Sequence, residues 1–221
     1  MRIPQLAAVS AAALLLTACG GSPLDGKSGP EVLDAAADAL EAAGAVHVQG
    51  TANQDGEEGE IDMHFQGADG IGSLTFGGVE LQLLTVGGEV YLQAPAEFWS
   101  SFGMPEDAAA TFVDQWVIVP AEAAGEFADF SLDGFLQDLR DPENPVEDEV
   151  RTGEVDGEDV VIVEQEDGST LSVADSDESY PLQMTNEGDS TGTLTFSRFG
   201  EKEDISAPED AVDLAEVMGG A

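Results

Sequence analysis

Residues 46–65, VHVQGTANQDGEEGEIDMHF, decide the fold. Along 46–53 the side chains alternate, with Val46, Val48, Gly50 and Ala52 on one face and His47, Gln49, Thr51 and Asn53 on the other. Residues 60–65 repeat the pattern, Ile61, Met63 and Phe65 opposing Glu60, Asp62 and His64. A period of two marks a strand with one buried face. Asp55-Gly56 between the two runs suits a tight hairpin turn, which favours residues that tolerate positive φ. With that turn, facing residues have numbers that sum to 111. Val48 then faces Met63 and Val46 faces Phe65 on the apolar side, while His47 faces His64 on the polar side. Half-buried antiparallel strands need such a register.

The same pattern extends outward. Strands are expected at 72–77, 79–86, 89–94, 116–119, 148–155, 158–165, 169–174, 180–187 and 191–199. Gly77-Gly78, Gly87-Gly88, Asp156-Gly157 and Asp167-Gly168 mark turns between them. Short helices are expected near 97–102, 105–113 and 131–139, and a last one over 208–217 after Ala207-Pro208. About eleven strands joined by short hairpins give one large antiparallel sheet, and a sheet of that size curls rather than staying flat. The class is α+β. One face is apolar and the other acidic, so the curl has an apolar inside that helical pieces cover.

On the N-terminal side, Ser28-Gly29-Pro30-Glu31 reads as a capping box that starts a helix over 30–43, stopped at Gly44. Leu33, Ala36, Ala37 and Leu40 form its apolar face. Residues 19–29 are Gly/Ser/Pro-rich and are expected to be a flexible tether. Before them stands a secretory signal: Arg2, an apolar stretch from Leu6 to Leu16, then Leu16-Thr17-Ala18-Cys19. The apolar stretch is about half the ~20 residues of a membrane span. Leu16-Thr17-Ala18-Cys19 resembles the bacterial lipobox, in which the thiol takes a diacylglyceryl group and the chain is cut just before it. Cys19 is the sole cysteine, so the chain has no internal disulfide, and acylation accounts for one thiol in an exported protein. The expected organisation is a signal at 1–18, cleavage between Ala18 and Cys19, a lipidated tether at 19–29 and one domain over 30–221. The expected location is the outer face of the plasma membrane, held there by acyl chains.

Net charge is −40, and removing residues 1–18, which hold Arg2 and no acid, makes it −41. Nucleic acid and anionic lipid surfaces would be repelled by such a body. The apolar fraction of 42% and its patterning argue against disorder.

Short phrases then carry a resemblance. Val46-His47-Val48-Gln49-Gly50, Gly88-Glu89-Val90-Tyr91-Leu92, Phe98-Trp99 and Gln115-Trp116-Val117 resemble the first half of actinobacterial lipoproteins of the LppX/LprG type. Val155-Asp156-Gly157, Ser179-Tyr180-Pro181-Leu182, Leu194-Thr195-Phe196-Ser197 and Ile205-Ser206-Ala207-Pro208 resemble that family's closing strands and tail. The resemblance implies a LolA-like fold, a U-shaped half-barrel sheet closed by helices over a hydrophobic cavity. It also implies carriage or sensing of acylated envelope lipid or lipoglycan, with a membrane transporter or regulator as a partner. The acidity of this chain argues against a ligand whose head group needs a positive entrance.

The cavity lining is expected from Val48, Ile61, Met63, Phe65, Leu74, Phe76, Leu83 and Leu92 in the first half. Phe98, Trp99, Phe102 and Trp116 are candidates for a gate, and Leu171, Val173, Leu182, Met184, Leu194 and Phe196 extend the lining. The alternative for these residues is a filled core. His47 and His64, beside Asp62 and Glu60, are candidates for a metal site or pH switch, against two solvent-facing histidines. No catalytic or cofactor motif is present: there is no G-x-S-x-G or H-E-x-x-H, and Gly70-Ile71-Gly72 lacks a third glycine and a βαβ setting. The expected function is therefore non-enzymatic binding or carriage of acyl lipid. The alternatives are an envelope sensor or scaffold for a partner protein, and a structural component with a vestigial cavity.

Overall fold

The computed structural model describes residues 22–54, 56–101, 103–127, 131–187 and 190–214. Helix α1 (Gly29–Ala43) begins at Ser28, whose backbone N–H and hydroxyl both donate to the Glu31 carboxylate at 2.9 and 3.0 Å. These two donors hold the Glu31 carboxyl below its usual range. The helix stops at Gly44, whose N–H returns to the Leu40 carbonyl. Its buried face is Val32, Leu33, Ala36, Ala37 and Leu40, and the two alanines let its backbone lie close to the sheet.

The first six strands form a meander: β1 (Ala45–Gln54), β2 (Glu57–Gln66), β3 (Asp69–Phe76), β4 (Val79–Val86), β5 (Glu89–Gln93) and β6 (Val117–Ile118). Between β5 and β6 lie α2 (Ala96–Ser101) and α3 (Glu106–Ala109). After β6 come α4 (Ala121–Ala124), a 3-10 turn (Gly125–Phe127) and α5 (Leu132–Arg140). A second meander follows: β7 (Arg151–Val155), β8 (Glu158–Glu164), β9 (Thr170–Ala174), β10 (Pro181–Glu187) and β11 (Ser190–Ser197). The last strand among the described residues is β12 (Val212–Asp213). All twelve strands form one open sheet, in the order β12-β6-β5-β4-β3-β2-β1-β11-β10-β9-β8-β7. Every pair is antiparallel except β12–β6.

The first hairpin has the register read from the sequence: Val46 opposes Phe65, His47 opposes His64 and Val48 opposes Met63. The Gln54–Glu57 pair is the last of that ladder, as the expected turn requires. The two meanders meet where β1 pairs β11, Val48 facing Phe196 and Gly50 facing Leu194. At this seam the backbones crowd on the inner face. A Cβ added at Gly50 would overlap the Thr193 carbonyl oxygen, and one at Gly192 would overlap that of Thr51. Glycine at both positions lets the two strands bend together. One core cluster draws on strands from β6 to β8, so the sheet wraps around it.

The last segment overturns two expectations. Over 208–213 the expected helix is replaced by a turn and the two-residue strand β12; Leu214 is helical, and positions 215–217 lie outside the described residues. Pairing with the β6 edge supplies hydrogen bonds that a helix here would have made internally, beginning with Val212 N–H to the Trp116 carbonyl at 2.8 Å. Residues 198–211 form a strap over the outer face of the sheet. Gly200 N–H donates to the Ala45 carbonyl at 2.9 Å, and Glu203 N–H to the Gln66 side-chain oxygen at 3.2 Å. Arg198 pairs with Glu201 and Glu203 at 2.9 and 2.8 Å.

The outer face beneath is not the solvated surface that the alternation implied. One ladder row runs His64, Ile71, Leu84, Tyr91 and Ile118, and it spans the way from β2 to β6 that the strap must cross. His64, Leu84 and Tyr91 are buried. Neither ring nitrogen of His64 makes a hydrogen bond of standard geometry among the described residues, although the Glu201 backbone lies near enough to favour the protonated ring. Burial pushes its pKa below the ordinary 6.5, opposed by the nearby Glu203 carboxylate and reinforced by Arg198 and His47.

Two outcomes follow. Gly50→Val should lower stability by about 1–3 kcal/mol through backbone overlap, seen as a melting midpoint lower by roughly 2–4 °C per kcal/mol. Gly125→Ala, with helical φ of −58° and open space for the methyl, should leave the midpoint unchanged. For His64, the depressed pKa means that the unfolded chain takes up more protons as pH falls past 6.5. Stability is therefore complete above that value and declines as pH falls through it. Amide-exchange protection of Gly200 and Glu203 should fall between pH 7.5 and 5.5, and His64→Phe should flatten that slope.

Candidate functional site

The concave face is built from inward positions of both meanders. Val48, Met63, Phe65, Leu83, Leu92 and Phe196 share one core with Val117, Val161, Val163, Leu171 and Val173. α1 and α5 lie over it and pack against each other. Arg140 near the end of α5 reaches Asp38 at 3.3 Å and also Glu41 on α1. The Phe135 ring of α5 stands edge-on to Phe65 at 5.4 Å and to Phe196 at 5.9 Å, so it plugs the seam from above. Over β5, Trp99 is fixed by a hydrogen bond from its indole N–H to the Ala94 carbonyl at 3.1 Å, with Phe98 and Phe112 against its ring.

The sequence-derived lining residues fall into three groups. Val48, Met63, Phe65, Leu74, Leu83, Leu92, Trp99, Leu171, Val173 and Phe196 are buried together. Ile61, Phe98, Met184 and Leu194 are partly buried against them. Three others stand apart. Phe76 is 54% exposed, because it is the last residue of β3 and its inward position lies beyond the helical cover. Trp116 is half-buried ahead of β6, outside the core cluster. Leu182 is also half-buried outside the cluster, where the register shifts between Pro181 and Gln183. Phe102 and Cys19 lie outside the described residues. The sequence reading missed Phe135, although Leu132, Phe135, Leu136 and Leu139 have helical spacing on a segment read as helical.

Clefts open at both ends of the half-barrel. At one end, beside the turns at 67–68 and 87–88, a cleft of about 600 Å³ lies between β5, β6 and α4. Val90, Val119, Pro120, Ala124 and Phe127 give it an apolar wall. At the other end, a cleft of about 340 Å³ passes Leu33, Leu139 and Met184 but is rimmed by Asp138, Asn144 and Asp167. The first is suited to an acyl chain, while the second presents hydrogen-bonding groups.

The two histidines occupy neighbouring strands on the outer face but have different surroundings. His47 Nε2 lies 2.7 Å from the Asp62 carboxylate and Nδ1 lies 3.3 Å from the Ser197 hydroxyl. His64 sits buried beside it under the strap. Acid, imidazole and hydroxyl thus form a chain across β2, β1 and β11. Acyl transfer would also need free backbone donors for an oxyanion, and around His47 and Asp62 both strands are paired on either side. Among the described residues, no group of three or more side chains is arranged to hold a metal ion.

The segment expected as a tether is described from Ser22, and from there it lies against the body. Leu24 is 2% exposed and joins the core. The Ser22 hydroxyl bonds the Asp175 carboxylate, whose pKa is raised by burial and by the nearby Asp25 and Asp159. Among the described residues no helix is long and apolar enough to cross a membrane.

No family model and no curated relative matches the sequence. Solved structures do match the fold. LprF from Mycobacterium bovis is 17% identical, the match covering 83% of this chain and 99% of that one with a TM-score of 0.56. The Mycobacterium tuberculosis lipoprotein LppX is 13% identical over 80% of this chain and 98% of its own, with a TM-score of 0.50. At these identities the likeness is one of fold, and it spans nearly the whole of both mycobacterial proteins. The resemblance read in short sequence phrases is thus carried by the architecture: this chain has the open α+β half-barrel fold of LprF and LppX.

Proposed function

We propose that this chain is an extracytoplasmic lipoprotein, anchored through an acylated Cys19, that binds acyl lipid of the cell envelope between its concave sheet and helical cover. One observation carries the reading. The apolar concave wall is roofed by helices, all but α1 of nine residues or fewer, rather than by a second sheet, and an apolar cleft opens at its edge past Val90, Val119 and Phe127. Helices of four to nine residues hold their shape through packing, so they can be displaced as units. An acyl chain entering there would replace Phe135 and Trp99 against the wall, burying about 0.8 kcal/mol per methylene. The likeness to LprF and LppX and the lipobox-like Leu16-Thr17-Ala18-Cys19 support the same reading. No residue is assigned a catalytic role. A membrane transporter or regulator that passes lipid to or from the site fits as a partner.

Exposed Phe76 favours a second reading, a sensor or scaffold that docks a partner protein. Phe76 pairs with Val79 at a hairpin tip, and Val79 shares a shallow groove with the exposed Val113.

Mass spectrometry of an organic extract of the purified mature protein should recover acyl lipid, and a fluorescent fatty acid should bind with a blue shift. Ala121→Trp, at an exposed position on the cleft wall, should weaken that uptake several-fold with the melting midpoint preserved, whereas Phe76→Ser should leave it unchanged. Absence of both extractable lipid and uptake would sink the lipid reading, and partner capture lost on Phe76→Ser would favour the scaffold.

A further inference from the structure

The proposed anchor and the proposed lipid entrance share one end of the molecule. Strand direction defines that end. β1, β3, β5, β8 and β10 begin there, and β2, β4, β9 and β11 finish there, so the turns at 67–68, 87–88, 156–157 and 175–180 all belong to it. The apolar cleft opens beside two of these turns, since Ala68, Gly88 and Val90 border it. Ser22 is held at the same end, its hydroxyl on Asp175, the residue that follows β9.

The intervening length is short. Leu24 is buried, its N–H donates to the Ser22 hydroxyl at 3.0 Å, and Asp25 N–H donates to the Ser22 carbonyl at 3.0 Å. The chain is therefore fixed to the body from Ser22 onward, only three residues after Cys19. Three residues span at most about 10 Å when fully extended. Strands of eight to ten residues put the opposite rim roughly 26–33 Å farther away.

We infer that the rim carrying the turns at 67–68, 87–88, 156–157 and 175–180 faces the bilayer at short range, with the Val90–Val119–Phe127 cleft opening toward it. This rests on the reading of Cys19 as the acylated anchor. A lipid could then pass between bilayer and cleft across a gap of about 10 Å rather than across open water. At a separation of about one screening length at physiological salt, repulsion between the acidic body and anionic head groups is only partly screened, so it holds the rim near the full reach of the three-residue link. The opposite rim, with Phe76, points away from the membrane that holds the protein.

The test uses the full mature lipoprotein in vesicles of phosphatidylethanolamine and phosphatidylglycerol doped with a nickel-chelating head group. With Cys19 acylated, an introduced cysteine is the sole free thiol for a nitroxide. Ala68→Cys and Glu178→Cys mark the near rim, and Glu58→Cys and Glu166→Cys the far rim. Nickel relaxation should be several-fold stronger at 68 and 178 than at 58 and 166. Inserting a dozen Gly/Ser residues between Gly21 and Ser22 adds roughly 19 Å of mean reach and should erase the difference. Equal relaxation at all four positions, or stronger relaxation at the far rim, overturns the orientation. The mass of the N-terminal peptide separates the two failures. An acylated Cys19 with no rim preference defeats the orientation alone, and an unmodified Cys19 defeats the anchor and the orientation together. Lipid recovered by extraction is an independent readout of the binding site.

Discussion

The pairing of β1 with β11 holds the molecule together. Each meander alone is a set of local hairpins with one apolar face and nothing to close it. The ladder from His47–Ser197 to Gln54–Ser190 joins the two faces into a single wall. Its inner side brings Val48 against Phe196, the contact on which Phe135 rests from above. Gly50 and Gly192 remove the side chains that would keep those strands straight. α1 crosses the same region, touching β1 as well as β8 and β10, so the helix that opens the domain braces the seam made by its last long strand.

What the sequence disclosed follows from this division. Local hairpins write themselves into period-two patterns, and the 46–65 register was legible to the residue because turn and apolar face agreed. The long-range pairs left weaker traces. β12 has two residues, too few for any period, and its partner lies almost a hundred positions earlier. α4 follows Pro120 as a single alanine-rich turn without an apolar stripe. The outer face looked solvated because alternating polar residues usually are. The strap that buries His64 and Tyr91 is irregular, and irregular chain has no signature of where it lies. The same limit applies to the site. Most of the apolar wall was legible, since a strand's inner face fixes it. Phe76, Trp116 and Leu182 stand apart because a strand end, an approach to an edge and a register shift are all decided by neighbours distant in sequence.

The roof differs in kind from the wall. Each strand of the wall is tied by ladder hydrogen bonds, whereas the roof is held by side-chain packing, by the Trp99–Ala94 bond and by exposed pairs such as Arg140–Asp38. Exposed pairs contribute less than about 1 kcal/mol each. Displacing the roof therefore exchanges one apolar contact for another. A ligand that fills the vacated surface offsets most of the loss, and an empty opening does not. A closed, filled core without ligand and an open one with ligand are thus both consistent with the same sequence.

The strap and β12 also bear on how such a protein is made. The N-terminal meander can form its hairpins as soon as residues 45–93 are available, but its β1 edge waits for β11 and its β6 edge waits for β12. Both partners come after every other strand, at Ser190–Ser197 and Val212–Asp213. Until they arrive, two strand edges and an apolar face stay open, which is the condition under which chains pair with their neighbours instead. Pairs between strands far apart in sequence form more slowly than local hairpins. Arrival of β11 and β12, rather than the appearance of any one hairpin, closes both edges of the first meander.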